Sequence, residues 1–268
     1  MTSPRTLLLA ATLVVACALC LVAAAASPPP CDLLRACHDP ASCSVLAESP
    51  PAQFALVWKT SRGAFVVDVT SAWAPPYAAR LWQLARLQYF AGASFYRMLR
   101  RSATDAFVVQ FGYRGDAAVD TCWDAAMTSN ATWSVAAPGN VRGTLSFSMD
   151  AVAPADAHNP NCTSTSYCAQ GFSTNVFINL ADNSARLDPP GFSIVGRVRD
   201  AGMAVVDALY AGYGEVQDLC APGATDRFCV GTGAQCAGVN MTRLVAEGNA
   251  YLQSERPLLD SVYGVDIL

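Results

Sequence analysis

Short apolar runs that favour β-strands recur along this chain from residue 53 to the C-terminus, and they constrain its fold more than any other feature. Each run is rich in Val, Phe and other residues that fit a pleated surface, and glycine or polar residues separate it from the next. The runs are residues 54–60, 64–71, 94–99, 107–112, 142–149, 175–181 and 191–198, with a last one at the C-terminus.

Only two segments of this part of the chain have apolar residues at helical spacing. In residues 74–90 these are Tyr77, Leu81, Leu84 and Leu87, and in residues 200–215 they are Met203, Val206, Leu209 and Tyr210. Many short strands with two helices predict a mainly β fold, a closed or nearly closed antiparallel barrel with helices over its ends.

The N-terminal segment has the order of a secretory signal. A single early cation, Arg5, precedes an apolar run and a small-residue end, which predicts a signal peptide over residues 1–26 with cleavage after Ala26. The alternative is an uncleaved signal anchor, because the run is about long enough to cross a bilayer, and the protein would then be attached to a membrane. Both interpretations place the remaining chain in the secretory pathway, in a lumenal compartment or outside the cell.

Cysteine usage favours the same oxidising environment. Nine cysteines follow the signal: Cys31, Cys37, Cys43, Cys122, Cys162, Cys168, Cys220, Cys229 and Cys236. They predict up to four disulfides and one leftover thiol. Zinc is disfavoured, because these nine cysteines contain no CxxC pair and the only histidines are His38 and His158. Three sequons, at Asn130, Asn161 and Asn240, indicate a glycoprotein.

The remaining composition bounds the domains and the partners. Residues 27–52 are rich in Pro and Cys and are interpreted as a cross-linked leader or linker, followed by one domain over residues 53–268. The formal net charge is -4 and Lys59 is the only lysine, so the basic patch that nucleic-acid binding requires is absent.

Two polar residues stand inside runs that otherwise favour burial. Arg97 follows Phe95 and Tyr96, and Gln110 follows the apolar residues 107–109. Taken alone, each is an ordinary strand residue whose polar end reaches solvent. Both together indicate a polar group held beside an apolar site.

The runs SFYRML, FVVQFG, RGTLSFSM, NVFINLADNSARLDPPGFSIVGRV and GMAVVDALYAGYGE, in this order, resemble the cyclophilin family of peptidyl-prolyl cis-trans isomerases. The resemblance extends from Phe54 to the C-terminus. It implies a closed eight-stranded antiparallel barrel capped by two α-helices. It also implies an enzyme that rotates X-Pro bonds in proline-containing protein segments and assists folding in the secretory pathway, without a metal or cofactor.

The resemblance also implies roles for individual residues. Arg97 matches the family's catalytic arginine, and Gln110 is the residue that holds it. The residues that match substrate-binding positions are Phe107, Val108, Ser148, Asn175, Phe177, Leu187 and Phe192. Amide resonance sets a rotation barrier of about 18–20 kcal/mol. A guanidinium that donates to the prolyl nitrogen as it leaves planarity stabilises the twisted state selectively.

Several positions depart from the family pattern. Ser148 and Met149 stand where the family has an Ala-Asn pair, and Phe192 stands where many members have a histidine. Arg186 replaces a tryptophan, which argues against binding of cyclosporin, the family's inhibitor. Two other interpretations therefore stay open: a cyclophilin-like module that binds Pro-containing segments with weak or no catalysis, and an extracellular adhesion or structural domain whose leader carries the interaction.

Overall fold

The computed structural model describes residues 31–124 and 137–268. The predicted signal peptide, residues 1–26, and the sequon at Asn130 lie outside these residues. The strands are β1 (Gln53–Thr60), β2 (Gly63–Thr70), β3 (Arg97–Arg100), β4 (Ala106–Phe111), β5 (Thr144–Phe147), β6 (Asp150–Val152), β7 (Cys168–Gln170), β8 (Val176–Asn179), β9 (Ile194–Val198) and β10 (Val262–Ile267). The helices are α1 (Leu33–His38), α2 (Pro75–Arg86), α3 (Ala117–Asp124), α4 (Ser184–Leu187), α5 (Met203–Asp207), α6 (Met241–Glu247) and α7 (Asn249–Glu255).

Eight of these strands form one curled antiparallel sheet, in the order β10-β1-β2-β9-β5-β8-β4-β3. The prediction of a mainly β fold with an eight-stranded antiparallel sheet is confirmed, but the prediction of a closed barrel is wrong, because the sheet is an open half-barrel. Between its edge strands there is only a bridge from Ser94 to Ser261 with a few backbone hydrogen bonds around it. Gln88 and Gly92, in the connection between α2 and β3, take positive φ angles of 53° and 96°, so the backbone is not extended at these two residues.

The prediction of two helices is also wrong, since seven helices occur among the described residues. α2 forms where it was expected, begins on two prolines and buries Tyr77, Leu81 and Leu84. The second predicted helix shortens to α5, which has 5 residues. α6 and α7 were missed. Asn240 caps α6 by accepting from the Arg243 backbone N–H, and Gly248, at φ 60°, separates the two helices.

Residues of the predicted leader pack against α2 and α3. Ala36 is fully buried in the main apolar cluster. The Trp123 indole N–H donates to the Leu33 carbonyl at 2.9 Å, and the Gln83 amide donates to the Leu46 carbonyl at 2.8 Å. In the described part of the chain, no helix combines the length and the apolarity that a bilayer crossing requires.

The prediction of four disulfides and one leftover thiol is confirmed for the described residues. The bridges are Cys31–Cys43, Cys37–Cys122, Cys162–Cys168 and Cys220–Cys229, and the free thiol is Cys236. The bridge between Cys37 and Cys122 ties α1 to α3. Four disulfides are compatible with an oxidising compartment.

Candidate functional site

The candidate site lies on a row of residues that crosses four neighbouring strands. Arg97 on β3 is paired with Gln110 on β4, Gln110 with Phe177 on β8, and Phe177 with Ser146 on β5. Directly paired residues on adjacent strands present their side chains to the same face of the sheet. The sheet register therefore brings the polar groups of two predicted strands beside an aromatic ring from a third.

A cavity of about 190 Å³ opens along this row. It is lined by Arg97, Phe107, Val108, Gln110, Ser148, Met149, Tyr167, Phe177, Arg186, Leu187 and Phe192. All of the residues that the sequence predicts for the site line it except Asn175. Residues drawn from segments up to 95 positions apart in the sequence thus meet around one small space that has an apolar wall and polar groups beside it.

The apolar wall of the cavity consists of packed aromatic and aliphatic side chains. Phe107, Phe177 and Leu187 are buried and belong to one cluster, against which Phe192 packs. The rings of Phe177 and Phe192 meet edge to face, with centroids 5.9 Å apart. The exposed guanidinium of Arg186 lies 4.2 Å from the centroid of the Phe107 ring, so a cation covers one aromatic face of the wall.

Arg97 is held by two side chains on different sides of its guanidinium. Its Nη1 donates to Gln110 Oε1 at 2.9 Å. Its Nε and Nη2 donate to the two carboxylate oxygens of Glu215, at 2.5 and 2.7 Å. A guanidinium has five N–H donors, so two remain without a partner among the described residues, one on Nη1 and one on Nη2.

Gln110 is oriented in turn by Ser148. The Gln110 amide nitrogen donates to the Ser148 hydroxyl at 3.1 Å, which directs the amide oxygen of Gln110 toward Arg97. Ser148 is one of the positions where the chain departs from the family pattern. Its hydroxyl therefore contributes to the arrangement of the arginine.

Asn175 lines a second cavity, of about 220 Å³, which shares Gln110, Ser148 and Met149 with the first. The Asn175 amide oxygen accepts from the Tyr96 hydroxyl at 3.0 Å. Burial, followed by the neighbouring Tyr113, raises the pKa of Tyr96 well above its ordinary value. The Tyr96 hydroxyl therefore stays protonated at neutral pH. It donates to Asn175 and so holds this side chain in the wall of the second cavity.

Sequence reasoning missed two features of the site. Glu215 follows Gly214 in the GYGE sequence, and a single acidic residue between glycine and valine was the only local signal. The second feature is a buried amide network behind the apolar wall, formed by Asn140, Asn179 and Asn183. Asp188 accepts from the backbone and the side chain of Asn140, at 2.8 Å in both cases.

No family model and no curated protein matches the chain. Among solved structures, the chain is similar to the Mimivirus cyclophilin, with 12% identity and a TM-score of 0.45, over 83% of this chain and 94% of that one. It is also similar to a cyclophilin-type peptidyl-prolyl isomerase of Cryptosporidium parvum, with 13% identity and a TM-score of 0.42, over 58% and 82%.

A third similar structure is the cyclophilin AquaCyp293 from Hirschia baltica, with 12% identity and a TM-score of 0.39, over 61% and 70% of the two chains. The neighbours named are thus all cyclophilins, the family that the sequence motifs resemble.

Proposed function

We propose that this protein is a peptidyl-prolyl cis-trans isomerase that acts on X-Pro bonds of protein segments in the secretory pathway. The observation that carries the proposal is a guanidinium, that of Arg97, with two unused N–H donors at the edge of an apolar cavity. Rotation of an X-Pro bond needs no nucleophile and no titrating group. It needs an apolar surface that the proline ring can contact and a hydrogen-bond donor that points at the amide.

The donor acts on the state in which the amide is twisted. When the prolyl nitrogen leaves conjugation it becomes a hydrogen-bond acceptor, which it is not in the planar ground state. A hydrogen bond from Arg97 at that moment lowers the barrier without tightening the ground state. A bond to a charged donor contributes about 1.5–3 kcal/mol, which corresponds to about 10- to 100-fold in rate.

The apolar wall of the cavity supplies the surface that the proline ring would contact. Phe107, Phe177 and Leu187 are 8%, 5% and 5% exposed, so they offer a proline ring a desolvated contact. The same wall excludes water from the donor and strengthens its electrostatic effect. The four disulfides support the choice of an oxidising compartment.

The test measures isomerisation of an X-Pro peptide by NMR exchange spectroscopy on the full, disulfide-intact chain. Arg97→Ala leaves Glu215 buried without its cation, so Arg97→Lys is measured beside it, because lysine keeps a charge but not the fork. We expect both variants to lose about 10- to 100-fold of the rate. Arg101→Ala, on an exposed arginine of the same hairpin, is the matched control. Wild-type rates in a folded Arg97→Lys variant would refute the proposal.

The second candidate function is binding of Pro-containing segments without catalysis. The observation that favours it is the ion pair with Glu215, which offsets the charge of Arg97 and occupies two of its donors. Peptide resonances that shift on addition of the protein, while the exchange rate stays at that of free peptide, would establish this function. A rate enhancement at substoichiometric protein would exclude it.

A further inference from the structure

We infer that Glu215 is a positioning residue for the proposed catalytic arginine, Arg97, and that contact with a disulfide-closed loop holds the backbone of Glu215 in place. The inference rests on the proposed function and adds to it a group that is far from Arg97 in sequence. Glu215 lies in the loop after α5, and 118 positions separate it from Arg97.

The carboxylate of Glu215 is buried and fully engaged. Its side chain is 1% exposed, against 17% for that of Arg97. Oε1 accepts from Arg97 Nε and also from the backbone N–H of Val216 at 2.7 Å, while Oε2 accepts from Arg97 Nη2. Two parallel bonds fix both the plane and the rotation of a guanidinium, which a single acceptor such as Gln110 cannot do.

The backbone that carries Glu215 is fixed by close approaches of neighbouring chain. The Glu215 N–H donates to the Phe228 carbonyl at 3.0 Å. A Cβ atom at Gly214, which has a φ of 66°, would lie 2.2 Å from the Phe228 oxygen, and one at Gly238 would lie 1.8 Å from the Glu215 oxygen. Only glycine is compatible with these contacts, so the position of the Glu215 backbone is set by packing.

The same loop reaches the apolar wall of the cavity. The bridge between Cys220 and Cys229 closes the loop, and the adjacent Phe228 is buried in the cluster that contains Phe107 and Phe177. The covalently closed segment thus contacts the apolar half of the site through the Phe228 ring. Glu215 precedes this segment, holds the polar half of the site through its carboxylate, and is bonded to the segment through its backbone N–H and the Phe228 carbonyl.

The ion pair could in principle withdraw Arg97 from a bound peptide rather than aim it. Two observations favour aiming. Arg97 still lines the cavity. One N–H on each terminal nitrogen also stays unused by protein groups among the described residues, which leaves donors for the prolyl nitrogen and a neighbouring carbonyl. The two possibilities predict rate changes of opposite sign when the carboxylate is neutralised.

The experiment uses Glu215→Gln in the full chain, because the amide has the size of the carboxylate, removes its charge and replaces one acceptor oxygen by an N–H donor. We expect kcat for a proline peptide to fall by about 10- to 100-fold, since a small misplacement of a catalytic group has effects of that size. KM is expected to stay within about twofold of the wild-type value, because the apolar wall that the proline ring would contact is intact. In an Arg97→Lys background the same change is expected to have little further effect on kcat. A merely structural role would lower stability in both backgrounds alike.

Glu247→Gln, which breaks an exposed pair with Arg243, is the matched control and is expected to leave kcat unchanged. An increase in kcat for Glu215→Gln would overturn the inference in favour of withdrawal, and an unchanged kcat would overturn it outright.

A second readout does not require activity. The Nε proton of Arg97 is expected to exchange slowly with water in the wild type, because a proton that is hydrogen-bonded to a buried carboxylate is protected. In Glu215→Gln it is expected to exchange at least about tenfold faster, which NMR can measure from its resonance. Equal exchange in the two proteins would overturn the inference. If the wild type shows no isomerase activity, the proposed function fails, while this measurement still decides whether Glu215 fixes Arg97.

Discussion

Asn140 gives the sharpest test of how the apolar wall of the site is held. It is fully buried, and its side chain makes four hydrogen bonds. The amide nitrogen donates to Asp188 Oδ1 at 2.8 Å and to the Phe192 carbonyl at 3.1 Å. The amide oxygen accepts from Ser146 Oγ at 3.0 Å and from Asn179 Nδ2 at 3.1 Å. These bonds join the strands β5 and β8 to the turn that carries Leu187 and Phe192.

The decrease in the free energy of unfolding caused by Asn140→Ala depends on which hydrogen-bond partners each neighbouring group keeps. Asp188 keeps the backbone N–H of residue 140, and Asn179 keeps the Thr144 hydroxyl at 3.0 Å. Ser146 Oγ and the Phe192 carbonyl lose the one partner that each has among the described residues. A buried polar group without a partner costs about 1–3 kcal/mol, so two such groups lower the free energy of unfolding by about 2–6 kcal/mol. A decrease of about 3 kcal/mol lowers the melting temperature by roughly 6–12 °C in a domain of this size.

The measurement is urea unfolding of the disulfide-intact protein, followed by tryptophan fluorescence, with Gln253→Ala as the control. Gln253 is exposed on α7, and its substitution is expected to change the free energy of unfolding by less than about 0.5 kcal/mol. A loss below about 1 kcal/mol for Asn140→Ala would contradict the reasoning, because it would mean that water satisfies the abandoned groups at no cost.

Two further predictions concern the region of α3. Burial raises the pKa of Asp120 above 3.8. In the pH window just above 3.8, the folded protein therefore keeps a proton that the unfolded chain has lost. The free energy of unfolding consequently falls as the pH rises through that window. In pH-dependent urea melts, the stability of the wild type relative to Asp120→Asn is therefore expected to decrease from about pH 4 upward, while Asp218→Asn, at an exposed site, shows no such trend. Replacing Cys37 and Cys122 by Ser opens a bridge that spans 85 positions and is expected to cost about 2–4 kcal/mol in the same assay. An unchanged midpoint would show that the leader packing does not depend on the bridge.

The strands of the main sheet could be predicted because each carries its own local pattern. In β2, for example, Phe65, Val67 and Val69 are buried while Asp68 is exposed, which is the alternation of a half-buried strand. Closure of the sheet has no such local pattern. It depends on how the edge strands β3 and β10 meet, and these two strands lie far apart in the sequence. An open half-barrel and a closed barrel therefore share the same strand-forming runs.

α6 was missed because one residue type has two uses. Asn240 heads an N-x-T sequon, which was interpreted as a glycosylation site, and the same side chain caps the helix. Asparagine is favoured both in sequons and at helix N-caps. The apolar residues that follow, Leu244, Tyr251 and Leu252, are buried together but are divided by the bend at Gly248. Neither half has the length at which a helical period becomes distinct.

The candidate site likewise contains residues that the sequence predicts and one that it does not. Arg97 and Gln110 are 13 positions apart on paired strands, and a polar residue inside each of two apolar runs is visible in the sequence. Glu215 lies 118 positions from Arg97, on a loop without periodicity, so only the folded chain brings the two together. The resemblance of the sequence motifs to cyclophilins implies a role for an arginine, but the number of N–H donors that Arg97 has free depends on this distant carboxylate. With Glu215 and Gln110 in place two of five donors are open and the guanidinium plane is fixed, so a rate enhancement would come from orientation of the arginine and not from an exposed charge.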